Sequence, residues 1–472
     1  MSLTMSSKTF PYASIREVVD RQTLLVDKTW KISPEPWALS PEEVQDLKSI
    51  GKACLHFFQA LERLYTRSTL GKNLLRNRSL RTPWVAEYLD RGKPEALINY
   101  ARIQRQQVMT PRLMRPDLIR TEEGFIMTEI ELLPGGIGIT AFLNRFYQQH
   151  TKAAVIGCDD RMLHAFYDML SGYAPDKDLP FIALLVSDEA ATYRPEMEWL
   201  AQALQDLGKR VFVFHPDEVF PLGSSLCVDV EGSPQKIDVI YRFWELFDWE
   251  TVSANAHILN AAEDAEFAVT PVLRPFQEEK LNLALFHHYR LQDFWEEQLP
   301  RDSLRTLRAV IPKSWIVETT HLSPGAVLDG PQVGGRAIWD WSQLGEASQR
   351  ERDLVLKISG FHKTASGARS VVAGRDVSRG VWDAAIRKAL TMSGTHPHIL
   401  QPFHKPKRQS HPIYEGPGEL HVKQGRVRLS PYFFVEAEEV ELSGILATFC
   451  PADKKIVHGM QDAALLPCCV HA

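Results

Sequence analysis

RPDLIRTEEGFIMTEIEL, residues 115–132, decides how the rest of the chain is read. Two strand-forming runs flank Glu122-Glu123-Gly124, and a three-residue hairpin loop commonly ends in a residue of positive φ, which glycine adopts at little cost. That turn predicts Thr121 opposite Phe125, Asp117 opposite Glu129 and Arg115 opposite Glu131. Side chains alternate faces along a strand, so Arg115, Asp117, Glu129 and Glu131 share one face. Leu118, Ile126 and Ile130 share the other and can pack on a core. Opposed Cβ atoms lie about 4.5–5.5 Å apart, and like charges there destabilise a hairpin. Asp117 against Glu129, with Glu131 one step along, is therefore unfavourable unless a cation shares the site. Hard cations such as Mg²⁺ take carboxylate oxygens and keep substrate phosphates in their shell. The planar fork of Arg115 suits a phosphate or acyl phosphate. Two plainer readings stay open. The face is solvated and Arg115 pairs with Glu131, or the turn slips by one residue and splits the four charges across both faces.

The surrounding chain of 472 residues is long enough for two or three packed units. Its 44% hydrophobic and 24% charged residues are ordinary globular composition, and a net charge of −5 gives no basic surface for nucleic acid or anionic membrane. Six cysteines without any C-x-x-C argue against a zinc ribbon and fit a reducing compartment. The first residues lack an apolar signal-peptide core, and no apolar run approaches the roughly 18 residues of a bilayer span. The expectation is a soluble cytoplasmic protein with no nucleic-acid or membrane partner; the oligomeric state is left open.

Four regions are expected. Residues 1–105 read as a helical N-terminal region, in which Ser40-Pro41-Glu42-Glu43 is a capping box with proline at the first helical position. Residues 106–175 hold the hairpin. Residues 176–265 carry a β-α-β unit: FIALLVS, a helix with Met197, Leu200, Leu204 and Leu207 ending at Gly208, then RVFVFH. KIDVIYRFWELFDW adds a buried strand and its exit loop. Residues 266–472 alternate between strand and helix periods, with DLVLKIS, HILQPF and VRLSPYFF as strands. Val381, Trp382, Ala385, Ile386, Ala389 and Leu390 form a helical stripe there. The stretch 404–419, HKPKRQSHPIYEGPGE, reads as a loop.

Arg-x-Asp, eleven residues, then Glu-x-Glu at Arg115, Asp117, Glu129 and Glu131 resembles the metal and phosphate hairpin of the glutathionylspermidine synthetase family. Later landmarks follow that family's order over roughly residues 110–460. KIDVIYRFWELFDWE is similar to its strand and aromatic-acidic stretch. Lys280, opening LNLALFHHY, resembles the first ATP lysine and Lys357 in DLVLKIS the second. SGARSVVAG, with Ser366, Gly367 and Ala368, stands in place of the phosphate loop, and HILQPF, with Gln401 and Phe403, resembles the hinge strand beside adenine. Four departures are visible: Glu131 replaces Asn, Leu132 or Leu133 replaces an acid, Ile358 rather than proline follows Lys357, and GILATF lacks an arginine.

The resemblance implies an α/β (α+β) protein with a circularly permuted ATP-grasp fold, an inserted pre-ATP-grasp-like unit (176–265) and the ATP-binding lysines in 266–472. It implies an ATP- and Mg²⁺-dependent ligase joining a small-molecule or peptide carboxylate to an amine through an acyl phosphate. Asp117, Glu129 and Glu131 would hold metal, Arg115 would stabilise the acyl phosphate, and Lys280, Lys357, Ser366, Gly367, Ala368, Gln401 and Phe403 would hold ATP. Read alone, Lys280 is also an ordinary helix-start lysine, whereas Lys357 lies in an apolar strand where an unpaired ammonium is costly. The histidines match no zinc spacing and read as surface or core residues. The four Gly-Lys pairs are never followed by Ser or Thr, so there is no P-loop, and no G-x-S-x-G elbow exists. Two other readings stay open: a non-catalytic nucleotide-binding homologue acting as a partner protein, and a small-molecule phosphotransferase.

Overall fold

A computed structural model of the chain describes residues 11–25, 30–103, 109–263, 267–365, 369–452 and 463–471. Both ends of the described chain build one sheet of eight strands. Its main order is Trp37–Leu39, Ala464–Val470, Glu439–Pro451, Glu419–Glu436, Leu113–Arg120, Phe125–Glu131. Gln409–Gly416 pairs with Glu419–Glu436 and Ala154–Val155 with Ala464–Val470. Residues 404–419, expected as a loop, thus contain a strand that the proline and glycine content masked. His411, Ile413 and Tyr414 are buried there, and the reversal falls at Gly418.

The expected β-α-β unit is present. Ile182–Val186 and Val211–Phe214 are parallel neighbours joined through the helix Arg194–Asp206. Val239–Phe243 and Ala268–Thr270 extend the sheet on the other side, also in parallel. Every residue of Ile182–Val186 and of Val239–Phe243 is buried, as befits a sheet covered on both faces. A third sheet is antiparallel, in the order Trp315–Val317, His398–Pro402, Leu354–Ile358, Val372–Ala373. The helix Arg379–Met392 covers it through Trp382, Ile386 and Ala389.

The N-terminal helix Pro41–Thr69 starts with the expected capping box. Ser40 Oγ accepts from Glu43 N at 3.1 Å, and the Glu43 carboxylate accepts from Ser40 N at 2.9 Å. It lies on the large sheet, where Gly51 admits the Phe433 ring. Phe57, Phe58, Leu61 and Leu64 are fully buried, each worth about 1.5–3 kcal/mol.

The hairpin departs from expectation between its tip and Thr128, and agrees with it at the charged pairs. Arg120, not Thr121, faces Phe125, so the turn holds four residues, closed by Thr121 N donating to Gly124 O at 2.8 Å. Alone, that change would have moved Glu129 and Glu131 to the other face. A β-bulge at Thr128 restores the register: Asp117 faces Glu129 and Arg115 faces Glu131, as expected. Leu118 now pairs with Met127, both fully buried, while Ile126, expected on the apolar face, pairs with Ile119.

Gly124 takes φ 135°, and a Cβ there would meet nothing within 4 Å. Gly124→Ala therefore tests backbone strain alone. It should lower the unfolding free energy by about 1–3 kcal/mol, read as a lower urea midpoint at unchanged m-value.

Candidate functional site

The hairpin face, the lysines of two other segments and one strand of the large sheet meet at Asp117 and Glu129. Asp117 is 1% exposed, and both its oxygens are engaged. Arg115 Nε donates to Oδ1 at 3.1 Å, Ser430 Oγ to Oδ1 at 2.8 Å, and Arg428 Nη1 lies 3.1 Å from Oδ2. Arg115 also donates from Nη1 to Gly135 O at 2.9 Å. Arg428 and Ser430 escaped sequence reading although their two-residue spacing in VRLSPYFF puts both on one strand face. The missing information was that this strand pairs with Leu113–Arg120.

Glu129 sits among cations. Lys280 Nζ lies 3.2 Å from its Oε2 and donates to Ala365 O at 3.1 Å. Lys357, on the strand Leu354–Ile358, donates to Thr128 O at 3.0 Å, so the bulge carbonyl is one of its supports. Burial would raise the Glu129 carboxyl, but Lys280, Lys357 and Arg428 together hold it below the carboxylate range. Burial pushes the Lys357 amine down to about 8, against the pull of Glu129. Burial also disfavours the Lys280 charge, and Glu129 and Glu131 reverse that.

Beside these groups runs a cleft lined by Glu131, Leu133, Glu245, Phe247, Glu278 and Lys280, among others. Glu278 pairs with the fully buried Arg242. Burial and neighbouring Glu129 push the Glu131 carboxyl up, and burial with Glu131 and Glu278 does the same to Glu245. This side of the site holds more carboxylate than cation. Glu245 and Glu278 were not singled out in the sequence, although Glu245 lies in the aromatic-acidic stretch that was.

The loop from Leu132 to Gly136 joins the hairpin to the helix Ile137–His150. Gly136 has φ 89°, and a side chain there would collide with the Tyr432 hydroxyl. Glu196, 3% exposed, reaches in from the helix Arg194–Asp206 and accepts from Gly138 N at 2.9 Å. Burial raises its carboxyl to about 7, even against hydrogen bonds from the Gly138, Gly136 and Ile139 amides.

Of the remaining expected site residues, Gln401 is 2% exposed and donates to Ser314 Oγ at 2.9 Å. Phe403 lies with His404, Lys405 and the hairpin tip Thr121–Glu123 around a second, separate hollow. Ser366, Gly367 and Ala368 fall outside the described residues. Among the described residues no group of three or more His, Cys, Asp or Glu side chains is placed to hold a metal ion. No described helix is long and apolar enough to cross a membrane.

The structure is similar to that of a glutathione synthetase-like effector from Globodera pallida, solved in its apo form. The TM-score is 0.56 at 11% identity, covering 97% of this chain and 96% of that one. A protein from Methylobacillus flagellatus, provisionally called a gamma-glutamylcysteine synthetase, aligns with TM-score 0.41 at 12% identity over 91% of this chain and 89% of that one. No family model and no curated protein matches the sequence. The first likeness shows the fold, a mixed α/β architecture shared along nearly the whole chain.

Glu196 yields a pH prediction. Between the ordinary carboxylate range and about pH 7 the folded chain keeps a proton that the unfolded chain has released. Its contribution to stability therefore falls as pH rises through that window. Glu196→Gln should gain on wild type in unfolding free energy from pH 5 to pH 8, by on the order of 1–3 kcal/mol, measured by urea titration at each pH.

Proposed function

We propose that this protein is an ATP- and Mg²⁺-dependent ligase that joins a small-molecule or peptide carboxylate to an amine. In this reading the chain is a circularly permuted ATP-grasp ligase, similar to glutathionylspermidine synthetase. The observation that carries it is the convergence of Lys280, Lys357 and Arg428, from separate segments, on Glu129 at the head of a carboxylate-lined cleft. The fold shared with a glutathione synthetase-like protein supports it.

In the first step an oxygen of the substrate carboxylate attacks the γ-phosphorus of ATP and ADP leaves. In the second the amine nitrogen attacks the acyl carbon, phosphate departs, and the nitrogen loses a proton. Lys280 and Lys357 hold phosphate oxygens, exchanging their contacts to Ala365 O and Thr128 O for them. Arg115 faces the charge that develops on the acyl phosphate and the tetrahedral oxyanion, a fixed cation that needs little rearrangement. Asp117, between Arg115 and Arg428, orients both. Glu245, whose proton affinity is raised, is suited to receive the amine's proton. A carboxyl short of counter-charge also fits a divalent cation. Glu131, with Glu129 beside it, would hold Mg²⁺, which would supply positive charge against the phosphates.

One observation favours a second reading, a nucleotide-binding relative without catalysis that acts as a partner protein. Asp117 is fully engaged by two arginines and a serine, and Glu131 stands where the resembled family has asparagine.

Thermal melting separates binding from its absence. ATP with Mg²⁺ at about 100 times Kd should add about 2.7 kcal/mol, ATP alone clearly less, and Lys357→Ala should lose most of the shift. A flat wild-type response at millimolar ATP and Mg²⁺ removes the nucleotide site.

Turnover separates the readings. Against a panel of carboxylates and amines, the ligase releases ADP with an amide product, whereas a phosphotransferase leaves a phosphorylated substrate. Glu129→Ala should lower the rate about 10²–10³-fold, and Glu131→Asn only modestly. A silent wild type whose Glu131→Asn variant releases ADP points to the non-catalytic relative. Equal rates for wild type and Glu129→Ala overturn the assignment of Glu129.

A further inference from the structure

The segment Arg274–Lys280 ends at the first cleft lysine, and the N-terminal region grips it at alternate points. Glu62 Oε2 lies 3.2 Å from Arg274 Nη1, with the two side chains 1% and 3% exposed. Ala101 O accepts from the same Arg274 nitrogen at 3.2 Å. Tyr65 stacks on Phe276, ring centroids 3.9 Å apart and planes 14° from parallel. Gln277 donates to Glu62 and, at 2.8 Å, to Met109 O. Lys93 Nζ pairs with Glu279 Oε1, with side chains 1% and 3% exposed. Nothing in the local sequence of 1–105 pointed to this role.

The last contact leads directly to Lys280. The other Glu279 oxygen accepts from Ser359 Oγ. Ser359 Oγ in turn accepts from Leu281 N at 2.8 Å, and Ser359 O from Lys280 N at 3.1 Å. The backbone on both sides of Lys280 is thus pinned to one residue. That residue lies one position beyond the strand Leu354–Ile358, which carries Lys357. Gly360 has no room for a side chain against the Glu279 carboxylate. A buried lysine and glutamate have no reason to be there for stability alone, since apolar replacements of such pairs are often neutral or better.

We propose that the N-terminal region is a positioning clamp for the nucleotide site, with Lys93 acting through Glu279 and Ser359 to hold Lys280 against Glu129. Lys93 is a positioning residue and touches no reactant. The functional half of this statement rests on the reading of Lys280 as a phosphate-holding lysine; the clamp itself does not.

Competitive acetylation of the intact protein, with each lysine quantified by mass spectrometry, reads the clamp without ATP. Lys93→Met should raise the reactivity of Lys280 relative to Lys357 about tenfold, equivalent to a local opening easier by about 1.4 kcal/mol. Lys93→Arg should keep the wild-type ratio. A general loss of stability would raise both lysines together and leave the ratio unchanged, which overturns the proposal. If Lys93→Met, which strands Glu279, does not fold, Ser359→Ala breaks the same link without leaving a buried charge and should shift the ratio the same way. A folded Ser359→Ala protein with the wild-type ratio overturns it equally. MgATP affinity, measured by calorimetry on the same variants, should weaken about tenfold where the ratio rises. Should wild type bind no MgATP, the phosphate role of Lys280 falls, while the labelling ratio still decides whether the clamp exists.

Discussion

Charge cannot be buried without a partner, and this constraint organises the centre of the molecule. Asp117 is almost fully enclosed between Arg115 and Arg428, and the partly buried Glu129 lies among Lys280 and Lys357. These side chains come from the hairpin, the strand paired with it in the same sheet, the segment after the parallel sheet, and the antiparallel sheet. Arg115 and Asp117 pair within one strand, but the remaining charges find their partners on other elements. Bringing them together is what the fold must achieve, and hydrophobic packing of three separate apolar clusters supplies the drive.

Much of the hairpin was legible because its rules are local. Alternation fixed which residues share a face, and glycine fixed the turn to within one residue. The error was instructive: the turn is one residue longer than expected, and the bulge at Thr128 cancels the shift before it reaches Glu129. Turn chemistry alone could not reveal a compensation located in the strand. The bulge also places the Thr128 carbonyl under Lys357, a contact between residues 229 positions apart. The capping box at Ser40 and the β-α-β unit were legible for the same local reason.

What remained hidden depends on distant pairing. Gln409–Gly416 looked like a loop because proline and glycine dominate it, yet pairing with Glu419–Glu436 supplies the hydrogen bonds that propensity withheld. Arg428 was in plain view, but only the neighbouring strand gives it Asp117. The residues 1–105 showed helices and no chemistry. Their contribution is to grip Arg274–Lys280, a relation that no window of sequence contains. Ser366, Gly367 and Ala368 lie outside the described residues, and further along the expected phosphate loop Val372–Ala373 forms an edge strand paired with Leu354–Ile358.

The electrostatic balance of the site is uneven, and the unevenness bears on function. On the Asp117 side every charge is answered. On the cleft side Glu131 and Glu245 face too little positive charge, and both carboxyls hold protons more tightly than free ones. Lys357, a short way off, holds its proton less tightly than a free amine, because burial outweighs the nearby Glu129. A fold selected for stability alone has a simpler solution, since apolar side chains of similar size would remove all three penalties. Anionic phosphate beside Lys357, and a cation beside Glu131, would relieve them at once and in opposite senses. The imbalance thus has the sign that the proposed nucleotide and a divalent cation would correct, and perturbed groups in a cleft are candidates for a functional site on that ground.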